Sequence, residues 1–171
     1  MLRHPSTEKF SYERSLSILK YLSVILIFGF TSCIKESVTL SYSTFYNSTS
    51  HQIKVLGYYN GNTLQESSFD LNPNEMKSFL ILNNRGIGNG LSFGEYYQPL
   101  DSIVVIFDSV YNISHYKPNL IGTNSKFYPF TSDRNIFNGT NYSRTITKDR
   151  KYRREWDFKY TFVEQDYSDA R

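Results

Sequence analysis

Apolar and polar residues alternate along several short stretches of the chain, and this alternation restricts the fold more than any other feature. The clearest stretch places Trp156, Phe158, Tyr160 and Phe162 in turn with more polar residues. Side chains on one face of a β-strand recur every two residues, so the pattern predicts a strand with one buried face. The 15 Tyr and 13 Phe of the chain suit a pleated, half-buried surface. The sequence therefore predicts an all-β protein.

Turn signals divide the chain after Cys33 into short strands. Strands are predicted from Val38 onward, then over 52–59, 63–71, 76–82, 101–108, 110–116 and 156–162. Asn60-Gly61, between the second and third strands, is the strongest hairpin signal, because a type I′ turn needs positive φ at both central residues. The unbroken apolar run at 103–107 predicts a strand buried on both faces at the centre of the domain.

Residues 117–147 carry many Asn, Ser, Gly and Pro, with one predicted helical turn near 134–138. Short strands with turns between them predict a β-sandwich, immunoglobulin-like or of a related Greek-key type. A small β-barrel is the alternative. Residues 38–171 form a single predicted β-domain, long enough to bury about two-thirds of the surface of the unfolded chain.

The N-terminal segment has a basic, polar beginning and an apolar run from Tyr21 to Phe30. This run is too short to cross a bilayer, which takes about 20 residues, and it fits a removable secretory signal. The sequence Phe30-Thr31-Ser32-Cys33 resembles the lipobox of a bacterial lipoprotein signal peptide. The resemblance implies removal of residues 1–32, acylation of Cys33 and a tether over 33–37. A membrane-anchored helix, or an apolar core helix, with an incidental cysteine is the alternative.

Ile34 follows the cysteine, in place of the Asp that retains many lipoproteins in the inner membrane, so the resemblance favours the outer membrane. Lys35-Glu36 resembles the export tag of surface lipoproteins of the Bacteroidota type, although surface and periplasmic placement both stay open. The layout of the chain also resembles a family of small uncharacterised bacterial lipoproteins. That layout comprises the segments 45–50, 71–75, 101–108 and 160–167. This resemblance implies the anchor and the fold and brings no activity with it.

Charge and cysteine content narrow the function further. The chain has 19 Lys and Arg against 16 Asp and Glu, and four of the basic and two of the acidic residues precede Cys33. The remainder is nearly neutral, which argues against a dedicated nucleic-acid-binding protein. With Cys33 acylated, no thiol is left for a disulfide, a thiolate nucleophile or a metal ligand in a monomer. The membrane, through the lipid anchor, is the predicted partner, together with a glycan or an envelope protein.

Catalytic and metal-binding patterns are weak. His51 and His115 are the histidines that follow Cys33, and the chain has neither a Gly-x-Ser-x-Gly elbow nor paired histidines at metal-ligand spacing. No metal or cofactor is therefore predicted. The acidic end, with Glu164, Asp166 and Asp169, lacks the spacing of a calcium loop and is predicted to be a solvated tail. The sequence predicts a non-enzymatic interaction or structural module, with a carboxylate pair assembled by the fold left open.

The glycine-rich segment 83–99 is the main candidate for ligand binding. A dinucleotide-binding fingerprint would need a third glycine at position 91, where the chain has Leu91, and a helix after it, of which the sequence shows no pattern. A flexible loop is therefore predicted. Long loops in compact domains are often functional. Tyr96 and Tyr97 could stack on a sugar ring, and Tyr58, Tyr59 and Trp156 are further candidates. Aromatic packing across neighbouring strands is the alternative for these residues. The alternative function is thus surface glycan binding through this loop.

Two surface features complete the predictions. Lys148, Arg150, Lys151, Arg153 and Arg154 form a basic run, predicted to be the solvated end of a hairpin, with anionic lipid, lipopolysaccharide phosphate or an acidic protein as alternative contacts. Ser102 and Ser109 each follow Asp and precede an apolar residue. These triplets resemble the O-glycosylation acceptor of Bacteroidota-type proteins. Ser109, at a predicted strand end, is the more accessible of the two.

Overall fold

The computed structural model describes residues 36–171 except 97, 98, 121 and 123, and it also leaves the side chain of Asn83 undescribed. Within this range, Glu36–Arg171 is one compact unit. The predicted signal peptide, Cys33 and most of the predicted tether lie outside the described residues. None of the described helices is long and apolar enough to cross a membrane.

Nine strands and three short helices make up the domain as described. The strands are β1 (Val38–Asn47), β2 (Ile53–Tyr59), β3 (Asn62–Leu71), β4 (Met76–Arg85), β5 (Ser102–Phe107), β6 (Tyr111–Tyr116), β7 (Phe127–Tyr128), β8 (Ser143–Arg150) and β9 (Arg153–Phe162). The helices are α1 (Phe93–Tyr96), a 3₁₀ helix at Gly139–Asn141 and α2 (Glu164–Ala170).

The strands form two open sheets that pack against each other as a sandwich. One sheet has the order β4-β1-β9-β8 and the other β3-β2-β5-β6-β7. Most neighbours are antiparallel, while β1 runs parallel to β9 and β6 parallel to β7. Strand β4 follows β3 of the other sheet after a short turn and lies antiparallel beside β1. The predicted all-β sandwich is confirmed, and the alternative, a closed barrel, is wrong.

The Asn60-Gly61 hairpin is confirmed in detail. Both residues have positive φ, 48° at Asn60 and 76° at Gly61. Tyr59 pairs with Asn62 across the two-residue turn. Positive φ at both central positions gives the turn the twist that two paired strands need, so these two residues set the register of β2 and β3 beside the turn. An irregularity between Val55 and Gly57 shifts the register farther along the strands.

Strand β5 is central, as predicted, but only one of its faces is fully buried. Ile103, Val105 and Phe107 have no exposed surface, whereas Val104 and Ile106 between them are partly exposed. The second face of β5 therefore lies on the outer surface of the sandwich, because no further layer covers its sheet. The run of apolar residues correctly located the strand and wrongly predicted its environment.

Three elements near the C-terminus differ from the predictions. Strand β8 extends over Ser143–Arg150, where no strand was predicted. The helical turn predicted near 134–138 is a series of turns, and the 3₁₀ helix follows it at Gly139–Asn141. The predicted solvated tail is helix α2, in which Asp166 is only 2% exposed. That carboxylate is satisfied by tertiary partners, which composition alone does not show.

The core lies between the two sheets and is unusually aromatic. Phe45 of β1 contacts Phe69, Phe93 and Phe162, with ring centroids 4.8, 5.1 and 6.2 Å away. The predicted inward face of β9 is confirmed, since Trp156, Phe158, Tyr160 and Phe162 are all buried. Aromatic pairs in tilted and edge-to-face geometry add about 0.5–1.5 kcal/mol each to the free energy gained from burial.

Candidate functional site

The glycine-rich segment after β4 is held against the inner face of β1. Thr39 Oγ1 donates to the carbonyl of Gly86 at 2.7 Å and accepts from the amide of Gly88 at 2.9 Å. Ser41 Oγ accepts from the amide of Leu91 at 3.1 Å. Small polar side chains thus replace apolar ones on this part of the inner face and satisfy loop backbone groups. Residues 86–91 of the predicted loop are thus hydrogen-bonded to the sandwich, and flexibility of the loop stays a prediction.

Close packing explains one glycine of the loop. A Cβ on Gly90 would lie 2.5 Å from Ser41 Oγ and 2.7 Å from Trp156 Cβ and Cγ. The indole of Trp156 also donates from Nε1 to the carbonyl of Gly88 at 3.1 Å. Only a residue without a side chain lets the backbone pass so near the tryptophan, so this part of the loop forms a wall packed against Trp156.

Helix α1 continues that wall and is capped by its own sequence. The amide and the hydroxyl of Ser92 both donate to Glu95 Oε2, each at 2.7 Å. Gly94 faces the 3₁₀ region, where a Cβ would come within 2.5 Å of Phe137 Cα. These contacts place Glu95 beside residues that lie far away in sequence.

The opposite wall comes from the segment before β8 and is fixed by amide side chains. Asn141 Nδ2 donates to the carbonyls of Ser132 and Asn135 at 2.8 and 2.9 Å. The hydroxyl of Tyr142 donates to the carbonyl of Ile136 at 2.8 Å. Burial, reinforced by the nearby Tyr160 and Glu95, raises the pKa of Tyr142 well above its ordinary value, so this phenol stays protonated.

Between these two walls lies an open cleft of about 590 Å³. Its lining combines aromatic rings with amide, hydroxyl and charged groups. Its residues are Asn89, Gly90, Leu91, Glu95, Phe130, Phe137, Asn138, Gly139, Thr140, Tyr142, Arg144 and Phe158. The guanidinium of Arg144 stacks over the ring of Trp156, with 4.2 Å from Cζ to the ring centroid. This volume falls in the usual range for small-molecule sites.

The structure brings only part of the predicted glycan site to this cleft. Loop residues 89–91 and Glu95 line it, whereas Tyr96 is 45% exposed at the end of α1 and does not. Tyr97 lies outside the described residues. Tyr58 and Tyr59 lie in β2 beside the Asn60-Gly61 turn, and Trp156 lies under Arg144. Ligand contact by the two loop tyrosines stays a prediction.

Sequence reasoning missed Phe130, Phe137 and Arg144 as lining residues. Phe130 and Phe137 lie in the turn-rich segment 117–147, where apolar residues do not recur at the spacing of a strand or a helix. Arg144 belongs to β8, whose β-branched run Thr145-Ile146-Thr147 was the available signal for a strand. Pairing of Arg144 with Phe158 in the β8–β9 register then places the guanidinium on the inner face.

A second polar cluster surrounds His51 at the end of the sandwich where β1 and β9 finish. Its Nδ1 lies 2.6 Å from Asp108 Oδ2, and its Nε2 lies 3.5 Å from Glu164 Oε2. The imidazole stacks on Tyr167, with ring centroids 3.5 Å apart. The hydrogen bond from His51 lowers the pKa of Asp108. Both ring nitrogens face carboxylates, which leaves neither nitrogen directed at a hydroxyl as in a serine triad.

His115 is a buried structural residue. Its Nδ1 accepts from the amide of Ile136 at 3.1 Å, and burial, with a smaller contribution from the charge of Arg134, lowers its pKa to about 3. Its Nε2 is buried without a hydrogen-bond partner in the described part of the protein. A neutral imidazole enclosed in this way has no route to a substrate. Within the described residues, no group of three His, Cys, Asp or Glu side chains is arranged to hold a metal ion.

The two predicted glycosylation serines have different environments. Ser109 is exposed in the turn between β5 and β6 with a φ of 61°, next to Asp108 at 49°. Ser102 lies in β5, is partly buried and pairs with Tyr116. Modification at either serine stays a prediction, and Ser109 is the better exposed.

Comparisons with known proteins add little to this picture. No protein-family model matches the chain, and no curated protein matches it. Among solved structures, the chain is similar to the NMR structure of the protein from Eubacterium rectale, with 12% identity over 74% of this chain and 90% of that chain. The TM-score is 0.22, which is too low for this similarity to support a conclusion about the fold or function of the chain.

Proposed function

We propose that this protein is a non-enzymatic binding module of the cell envelope, anchored to the outer membrane by acylated Cys33, whose cleft takes a saccharide. The lining of the cleft is the observation that supports a saccharide as its ligand. Phe130 is partly exposed there, while Asn89, Thr140 and Arg144 provide exposed hydrogen-bonding groups around it. A sugar ring has an apolar C–H face and hydroxyl edges, and an aromatic floor with polar groups at its margin matches both.

The attachment of both walls to the sandwich supports the same assignment. Thr39 and Ser41 of β1 accept hydrogen bonds from the loop backbone. Asn135 Nδ2 donates to the carbonyls of Tyr116 in β6 and Tyr128 in β7, so hydrogen bonds attach both walls to strands of the sandwich. A site that is already ordered loses little conformational entropy when a ligand binds, so weak individual contacts can still give useful affinity. Weak polar and stacking contacts are the kind that a neutral sugar makes.

A glycan microarray with the purified protein tests the proposal, followed by calorimetric titration of any glycan that binds. Arg144→Gln removes the cleft guanidinium, and we expect about a tenfold weaker affinity, corresponding to about 1.4 kcal/mol. Phe130→Ala should weaken binding by a similar factor. Arg150→Gln is the matched control, because it makes the same change on the same strand outside the cleft.

Two results would contradict the proposal. If the native protein retains no glycan on the array, the cleft is not a saccharide site. If Arg144→Gln and Arg150→Gln bind a retained glycan as tightly as the native protein does, the glycan binds elsewhere, and the exposed Tyr96 becomes the next residue to replace.

A further inference from the structure

The basic run identified in the sequence forms the end of the β8–β9 hairpin, around the turn Lys151-Tyr152. We call Lys148, Arg150, Lys151, Arg153 and Arg154 the basic tip. Asp149 pairs with Arg154 at 3.0 Å, while Glu155 pairs with Lys148 at 3.5 Å and with Arg153. Five cations against these two carboxylates leave a net charge of about +3 in one turn of a domain that is otherwise nearly neutral.

The basic tip lies where the chain enters the domain. The amide of Val38 donates to the carbonyl of Tyr152 at 2.9 Å, and Val38 is in register with Arg153 because β1 and β9 run parallel. Cys33 precedes Val38 by five residues, which span at most about 18 Å. A lipid on Cys33 would therefore hold the basic tip close to the membrane surface.

We propose that the basic tip docks on the anionic phosphate headgroups of the membrane that holds the lipid anchor, and so orients the domain. This proposal rests on acylation of Cys33 as proposed above. The opposite end of the sandwich, with the β5–β6 turn and the His51 cluster, then points away from the membrane. The nine-residue step along β1 from Val38 to Asn47 separates the two ends by about 30 Å.

Two features of the basic tip fit a membrane partner. Arg150 lies directly opposite Arg153 in the hairpin, a like-charge pair that weakens the hairpin by itself and that an anionic surface would offset. Tyr152 is 41% exposed at the turn. The ammonium of the neighbouring Lys151 lies 5.3 Å from the ring centroid of Tyr152. Tyrosine beside basic residues is typical of segments at the headgroup level of a bilayer.

The chain offers a direct test, because Cys33 is its only cysteine and acylation would block it. Lipidated protein that carries one added cysteine is reconstituted into phosphatidylcholine vesicles with or without phosphatidylglycerol. All vesicles contain a lipid with a nitroxide on its headgroup. A fluorophore is attached at Tyr152→Cys or, at the opposite end, at Val110→Cys, which replaces a residue 65% exposed. We expect the nitroxide to quench the fluorophore at position 152 in vesicles with phosphatidylglycerol, and not the one at position 110.

Charge variants then identify the contact. Arg150→Gln combined with Lys151→Gln should lower the ratio of docked to undocked protein about 25-fold, since each basic residue near an anionic surface strengthens binding about fivefold. Lys54→Gln combined with Lys77→Gln is the matched control, because it removes the same charge from exposed residues toward the far end. Raising the salt concentration should weaken quenching in the native protein, because salt screens exposed charges.

Each other outcome overturns a different part of the proposal. The protein without an added cysteine is the control for the anchor. If the fluorophore labels its Cys33 and the protein does not float with the vesicles, the lipid anchor is disproved. An anchored protein with no quenching at position 152, or equal quenching without phosphatidylglycerol, disproves docking alone. Inorganic phosphate at constant ionic strength should leave quenching unchanged, and its loss would identify a site for single phosphate ions in place of a membrane surface.

Discussion

At the scale of single residues, small side chains determine the geometry of the cleft. Thr39 and Ser41 occupy inward positions of β1 that could have held apolar residues, and their hydroxyls bind the backbone of residues 86–91. Gly90 then passes against Trp156 with no room for a methyl group. The polar backbone groups of this loop have partners in the sandwich, whereas those of a loop without such partners would stay solvated.

Gly90→Ala tests this account. The added methyl group would meet Ser41 and Trp156 at under 3 Å, so we expect the free energy of unfolding to fall by about 1–3 kcal/mol, as for other overpacked sites. Urea denaturation measures the change. Gly88→Ala is the control, because a Cβ there would meet no atom within 4 Å and the loop bonds are retained. Equal stability of the two variants would contradict the packing seen around Gly90.

At the scale of elements, helix α2 is attached to the sandwich by a buried polar network. Arg134 donates to Asp166 from both Nε and Nη2, and the amide of Val163 donates to the same carboxylate at 2.9 Å. The hydroxyl of Tyr128 lies 2.5 Å from Asp169 and 3.1 Å from Asp166. Burial and the hydrogen bond to Asp169 raise the pKa of Tyr128, so this group remains a donor.

Asp166→Asn should detach α2. The substitution leaves the guanidinium of Arg134 without its counter-charge in a largely enclosed site, and we expect a loss of about 3 kcal/mol in the free energy of unfolding. Chemical denaturation measures this loss, and faster amide hydrogen exchange over 164–170 locates it. Asp169→Asn is the matched control on the exposed side of the same helix and should cost about 1 kcal/mol or less. A similar loss in both variants would show that the buried ion pair is not what holds the helix.

The same elements show which predictions a sequence can support. Strand β9 and the Asn60-Gly61 hairpin were predictable because their signals are local, in alternation and in turn residues. Strand β8 was missed because it is an edge strand with most side chains exposed, so no buried face leaves a pattern. Helix α2 was missed because its stability comes from Arg134 and Tyr128, more than 30 residues earlier in the chain.

At the scale of the whole molecule, the sandwich has two distinct ends. The end that follows the proposed anchor carries the basic tip, and the opposite end carries Ser109 and the His51 cluster. The cleft opens between the sandwich and its long connections. Attachment at one end would leave both the cleft and the opposite end free to meet soluble or surface-bound partners.

Replacing Cys33 tests the proposed attachment. Cys33→Ala removes the thiol that would carry the lipid, and we expect the protein to leave the membrane fraction, because the lipid anchor is lost and the apolar run 21–30 is too short to span a bilayer. Cell fractionation with an alkaline wash measures the distribution. Ser32→Ala keeps a small residue before the cut and should stay in the membrane fraction. Retention of Cys33→Ala protein there would instead indicate anchoring by the apolar run 21–30.

The sequence by itself determined the all-β class, most strand positions and one hairpin register, because alternation and turn chemistry act between neighbouring residues. It also predicts the lipid anchor, which depends on a short contiguous motif. Only the tertiary structure decided that the glycine-rich loop is hydrogen-bonded to β1, that Phe130 and Arg144 share a cleft with it, and that the basic tip lies beside Val38. These features join residues that lie far apart in the chain, as in the hydrogen bond from the amide of Val38 to the carbonyl of Tyr152. Pairing at such distances follows from how the two sheets pack, which local patterns do not encode.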